Sequence, residues 1–141
     1  MRSPYDTTPQ HVTAINLVNQ HGSEGRLAAQ LQELSTAYAA THSGFRLVSF
    51  DFHKECGATN YARLDNLWQQ IVSEFEQFGY YVSTSKGVKQ QQGIFRTNCV
   101  DSLDRTNVVQ GMLARKQLEA QLRKLDALPP NETLTSYYPE V

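Results

Sequence analysis

The chain has 141 residues, enough for one domain with a modest core, and its 40% apolar and 19% charged residues are ordinary for a globular protein. Thirteen Lys and Arg against fourteen Asp and Glu give a net charge of −1. That balance excludes the basic surplus of a general nucleic-acid binder but leaves room for a local anion site, which needs only a few backbone N–H groups and one arginine.

Two cysteines, Cys56 and Cys99, and four scattered histidines offer no metal-ligand spacing and no disulfide framework, so reduced thiols and no metal are expected. No apolar run approaches the ~18 residues that span a bilayer, and the chain as given reads as soluble.

In chain order, residues 1–11, with Pro4 and Pro9, read as an irregular lead-in. Val12–Val18 is β-branched and apolar and predicts a buried strand. Beyond a turn at His21–Ser23, with Ser23 as N-cap and Glu24 at the positive end of the dipole, Leu27, Leu31, Leu34 and Tyr38 recur at helical spacing to about Ala40. Phe45–Phe52 predicts a second strand. A second helix shows the clearest stripe in the chain, Leu64, Leu67, Trp68, Ile71, Val72, Phe75 and Phe78, with Gly79 at an αL stop. Tyr80–Ser83 begins another strand that turns back at Lys86-Gly87, and Ile94–Thr97 is a short strand. A last helix runs from about Thr106 to Leu125, closed by Pro129 and Pro130. Alternating strands and helices of this kind predict an α/β layer with a largely parallel sheet flanked by helices, whose ligands bind beyond the carboxyl ends of the strands.

At such an end lies Arg96-Thr-Asn-Cys-Val-Asp-Ser-Leu-Asp-Arg-Thr-Asn107, in which Arg105 follows Cys99 by six positions and a helix begins directly afterwards. A loop of this length can turn successive N–H groups inward and, with the helix N-terminus, cradle a phosphate dianion. The same positive field favours the thiolate of Cys99, which attacks phosphorus, while the Arg105 guanidinium holds equatorial oxygens. Ser102 or Thr106 is placed to hydrogen-bond the sulfur. Val100, Ser102, Leu103, Thr106 and Asn107 are the phosphate-binding candidates.

This loop closely resembles the signature of the Sac-domain phosphoinositide phosphatases. Ile15–Val18 with Gly22-Ser-Glu24, the block Phe50-Asp-Phe-His-Lys-Glu-Cys56, and the approach strand Gly93-Ile-Phe-Arg96 resemble the same family. Arg115–Leu125 resembles the helix that follows the loop in the membrane-anchored Sac1-type enzymes. The resemblance covers roughly residues 12–128, a partial Sac catalytic domain, and leaves 129–141 as the tail of a truncated domain. It implies a cysteine-phosphatase-like strand–phosphate loop–helix site that removes the 4- or 3-phosphate from phosphatidylinositol phosphates through a phosphocysteine, without metal or cofactor. It further implies phosphoinositide headgroups in membranes as partners, an N-terminal lobe and more C-terminal domain in the full-length protein, and, for that protein, the cytosolic face of the endoplasmic reticulum or Golgi.

The leaving inositol oxygen needs a proton. Asp101 and Asp104 are the candidates, with Asp104 placed slightly ahead by analogy with myotubularin-type loops. Asp51, His53 and Asn98 are expected around the same crevice, and Cys56 is expected to be a core or loop thiol. Lys54, Lys86, Lys89 and Arg96 are weighed as headgroup contacts against plain solvated charges. A protein tyrosine phosphatase is disfavoured, since Asn98 rather than His precedes Cys99 and the loop holds no Gly. A non-catalytic Sac remnant that only binds is the other alternative.

Overall fold

The computed structural model describes residues 11–57 and 60–139. Three parallel strands, β1 (His11–Asn16), β2 (Phe45–Ser49) and β5 (Gly93–Asn98), form one sheet in the order β2-β1-β5. The lead-in, apart from His11, lies outside the described residues. β1 is central and buried from Thr13 onward, as its Val12–Ile15 run of apolar and β-branched residues requires of a strand covered on both faces, and the buried Asn16 that ends it accepts the Val18 N–H and Asn98 Nδ2 through Oδ1. Its register pairs Asn16 with Ser49 on one side and with Asn98 on the other, so all three strands end at one edge. β1 itself stops at Asn16; Leu17 and Val18, expected within the strand, are buried in the segment that leaves it.

The sheet is flanked by α1 (Gly25–Ala39), α3 (Leu64–Phe78) and α4 (Asp104–Lys124). Leu64, Leu67 and Ile71 of α3 join Ile15, Val48, Phe50 and Val109 in one core, and the apolar stripe read from the sequence is this buried face. Gly79 ends α3 with φ +59° as expected, but with ψ −152°, outside αL and in a region open essentially to glycine alone.

The α1 stripe turns out differently. Leu27, Leu34 and Tyr38 are exposed, and the helix is buried through Ala28 and Ser35. These small side chains lie on a neighbouring stripe and let the helix backbone approach the sheet closely. Ser23 falls in a 3₁₀ turn, Gly22–Glu24, and makes no cap. A short helix α2 (Phe52–Cys56), missing from the sequence reading, is N-capped by Asp51, whose carboxylate accepts the Lys54 N–H at 3.1 Å. β3 (Val82–Thr84) and β4 (Gly87–Lys89) form the expected turn-back as an antiparallel hairpin outside the main sheet. Beyond α4, the segment 129–139 folds back onto that helix: α5 (Leu134–Tyr137) starts in a capping box at Thr133, and the Leu134 N–H donates to Glu119 Oε1 at 2.9 Å.

β5 can approach α3 closely because its first residue is Gly93. A Cβ there would overlap the Phe78 ring, which also packs on Phe95 at 5.0 Å between centroids. Gly93→Ala is therefore expected to destabilise the fold by about 1–3 kcal/mol through overpacking, measurable as a lower urea midpoint at unchanged slope.

Candidate active site

The shared carboxyl edge of the sheet assembles the site. β5 delivers Cys99 directly after Asn98, and the five residues Cys99 to Leu103 bridge to α4. That helix begins at Asp104, two residues before the expected Thr106, so Arg105 sits in its first turn rather than in the loop. Ser102 adopts φ +55°, a left-handed conformation that turns the loop tightly enough to bring its own N–H back onto the Cys99 sulfur at 3.0 Å. Thr106 donates its hydroxyl to the same sulfur at 3.3 Å, and the Cys99 thiol donates to Asp101 Oδ1 at 3.2 Å. Leu103 N–H also donates to Asp101 Oδ1, at 3.0 Å. That backbone bond and the thiol contact hold the Asp101 carboxyl below the usual carboxylate range. Val100 and Leu103 expose their side chains.

Arg105 is held from the other side, by the chain leaving β1. Its Nη1 donates to the Leu17 carbonyl at 3.1 Å, to Asn19 Oδ1 at 3.3 Å and to Glu24 Oε2 at 3.1 Å, and its Nη2 reaches Glu24 Oε1 at 3.4 Å. Glu24 also accepts the Asn19 N–H at 2.8 Å. The Arg105 contact first, and that N–H next, lower the Glu24 carboxyl, while Glu24 raises Arg105.

A cleft of about 590 Å³ opens at this edge, lined by Asp104, Arg105, Asn107 and His53, together with Asn19, Phe52 and Tyr61. A second cleft of about 550 Å³ shares Tyr61, Asn107 and Val108 with it and runs along α4 to Arg115 and Lys116. The structure thus brings His53, Asp104, Arg105 and Asn107 onto one cavity and places Cys99, Asp101, Ser102 and Thr106 in one hydrogen-bonded cluster.

Asn98 and Asp51 brace the site instead of lining the cleft. Asn98 Nδ2 donates to Asn16 Oδ1 at 3.0 Å, and Asp51 Oδ2 accepts the Gln20 N–H at 3.2 Å. Cys56 is a core thiol, 1% exposed, and burial pushes it up. Lys54, Lys86, Lys89 and Arg96 are exposed. The sequence reading missed Asn19, Glu24 and Tyr61 as neighbours of the site. Only Glu24 carried a signal, lying within the Gly22-Ser-Glu24 block.

No family model matches the chain. Curated relatives do. "Phosphoinositide phosphatase SAC6" of Arabidopsis thaliana is 42% identical over 128 residues, covering 89% of this chain and 21% of that protein. This chain is a homologue of the Sac-domain phosphoinositide phosphatases. The Drosophila melanogaster "Phosphatidylinositol-3-phosphatase SAC1" is 46% identical over 117 residues, 82% of this chain and 19% of the Sac protein. "Phosphatidylinositide phosphatase SAC2" of Homo sapiens is 36% identical over 121 residues, 85% of this chain and 10% of its own length. The chain therefore spans about a fifth or less of the Sac proteins it matches. Among the described residues no helix is long and apolar enough to cross a membrane, and no group of three or more His, Cys, Asp or Glu is disposed to hold a metal ion.

Proposed function

We propose that this chain carries the catalytic centre of a phosphoinositide phosphatase that acts through a phosphocysteine on Cys99, with the 4- or 3-phosphate of monophosphorylated phosphatidylinositol as its substrate group. The observation that carries the reading is the environment of the Cys99 sulfur, which receives the Ser102 N–H and the Thr106 hydroxyl beside the arginine-bearing turn of α4. Both donors converge on the sulfur that is to attack phosphorus, and the Asp101 carboxylate accepts a hydrogen bond from the thiol.

In the first step the thiolate forms a sulfur–phosphorus bond as the phosphorus–inositol oxygen bond breaks, and Asp104 protonates the departing oxygen. Arg105, with the Val100 N–H and Asn107, is assigned to the phosphoryl oxygens, while the Ser102 N–H and Thr106 hydroxyl serve the sulfur and the Leu103 N–H holds Asp101. In the second step Asp104, now a carboxylate, takes a proton from water. The water oxygen bonds to phosphorus, the sulfur–phosphorus bond breaks, and inorganic phosphate leaves with the thiolate restored. His53 and Tyr61, which line the cleft, are assigned to the inositol ring. The relatives' printed names, which include a phosphatidylinositol-3-phosphatase, support the substrate class.

Phosphate release from a panel of phosphoinositides and a phosphotyrosine peptide tests the reading. Release is expected from the lipids and not the peptide, unchanged by EDTA and stopped by thiol alkylation, because a thiolate nucleophile needs no Lewis acid. Loss in EDTA with recovery on adding a divalent ion would refute the mechanism, and turnover of the peptide alone would refute the substrate class.

A further inference from the structure

We infer that Glu24 is a positioning residue for Arg105: it grips one end of the guanidinium so that the other edge faces the phosphate. The inference rests on the reading of Arg105 as the phosphate clamp. A guanidinium carries five N–H donors in a rigid plane. Both donors of Nη1 are taken by Glu24, Leu17 and Asn19, and Glu24 takes one donor of Nη2. What remains are the second Nη2 donor and Nε–H. These lie parallel on a single edge and match two oxygens of one phosphoryl group. No existing contact has to break for that edge to bind.

The brace is itself anchored. The Asn19 N–H fixes Glu24 Oε2 at 2.8 Å while the Asn19 side chain accepts from Arg105, so one turn of chain holds both partners. That turn is tied to the strand bearing the nucleophile, because the Leu17 N–H donates to the Asn98 carbonyl at 2.8 Å. Asn19 and Arg105 both line the cleft, which puts the gripped arginine where an anion can reach it.

A brace and a competitor predict opposite signs. Glu24→Gln removes a negative charge beside an anion site, so electrostatics alone would tighten phosphate binding. If the carboxylate positions the arginine, the same change weakens binding, because the fork loses its fixed orientation. The measurement is titration of the full chain with inorganic phosphate by calorimetry, alongside the ¹H–¹⁵N resonance of the Arg105 Nε–H. For Glu24→Gln, affinity is expected to fall about tenfold or more, the loss of a charge-assisted contact, with the Arg105 resonance broadened. Glu24→Asp keeps the charge but shortens the reach, so it should lose less affinity than Glu24→Gln while remaining folded.

Binding by Glu24→Gln as tight as wild type or tighter would overturn the inference and make Glu24 a competitor of the anion. Should the Gln variant fail to fold, undiminished phosphate binding by Glu24→Asp would overturn it equally. An Arg105 resonance unchanged in Glu24→Gln refutes the brace whatever the ligand does. Absence of phosphate binding in the wild type would instead strike the clamp reading itself.

Discussion

Cys99→Ser is expected to lower phosphate release from a phosphatidylinositol phosphate by on the order of 10⁴-fold or more while phosphate binding persists. The donors around the sulfur explain both halves. Ser102 N–H and the Thr106 hydroxyl stabilise an anion at this position, but an alcohol starts so much higher in pKa than a thiol that the same two donors leave it protonated. A serine oxygen remains within the same loop and accepts the same N–H, so the backbone turn set by Ser102 is preserved. Arg105 and its partners in the chain leaving β1 are untouched, and with them the charge proposed to hold phosphate. The measurement pairs turnover with phosphate titration for wild type and variant. Turnover near the wild-type level would remove Cys99 from the role of nucleophile. Joint loss of turnover and binding would show that the sulfur organises the loop and would leave the chemical assignment to a trapped phosphoenzyme. Cys56 is the internal control: it is buried in the core and burial raises its pKa, so Cys56→Ser should leave the rate per folded molecule unchanged.

Where one periodic pattern dominated, the fold was legible. α3 was recoverable because its apolar residues are large and share the buried face, and β1 because a central parallel strand is apolar without alternation. The same reasoning misjudged α1, since periodicity says which residues share a face but not which face meets the sheet; Ala28 and Ser35 decide that by size. α2 and α5 are too short for periodicity to register, and only their caps, Asp51 and Thr133, mark them.

One contiguous loop could be singled out as the candidate site because spacing and resemblance both fell on it, and the structure gathers Cys99, Asp101, Ser102 and Thr106 of it in one hydrogen-bonded cluster. The grip on Arg105 could not, because Glu24 lies 81 positions away and meets it only through the parallel pairing of β1 with β5. Asp51, expected around the crevice, stands behind it as the cap of α2 and a tie to Gln20. Its charge was visible in the sequence, but its two backbone donors, Lys54 N–H and Gln20 N–H, were not.

Asp104→Asn is expected to slow phosphoryl transfer from an inositol phosphate by about 10²–10⁴-fold and to leave an aryl phosphate nearly untouched. An inositol alkoxide is a poor leaving group and needs its proton in the transition state, whereas a phenolate with electron-withdrawing substituents departs without one. Asp104 opens α4 and lines the cleft beside Arg105. Asp101 is the control. It belongs to the same loop and carries the same charge, but its carboxyl is turned to the Leu103 N–H and the Cys99 thiol, and these contacts favour its ionised form. A carboxyl held in that form is a poor proton donor to a leaving group, and its contacts make it a support for the loop around Cys99. Asp101→Asn should therefore slow both substrates alike. The readout is the ratio of kcat/KM for the two substrates in wild type and each variant, which cancels any shared loss of phosphate binding. A ratio shifted by Asp101→Asn and not by Asp104→Asn would transfer the acid role to Asp101. Ratios unmoved by either would pass it to His53, which lines the same cleft, since both Asp51 oxygens already accept backbone N–H groups.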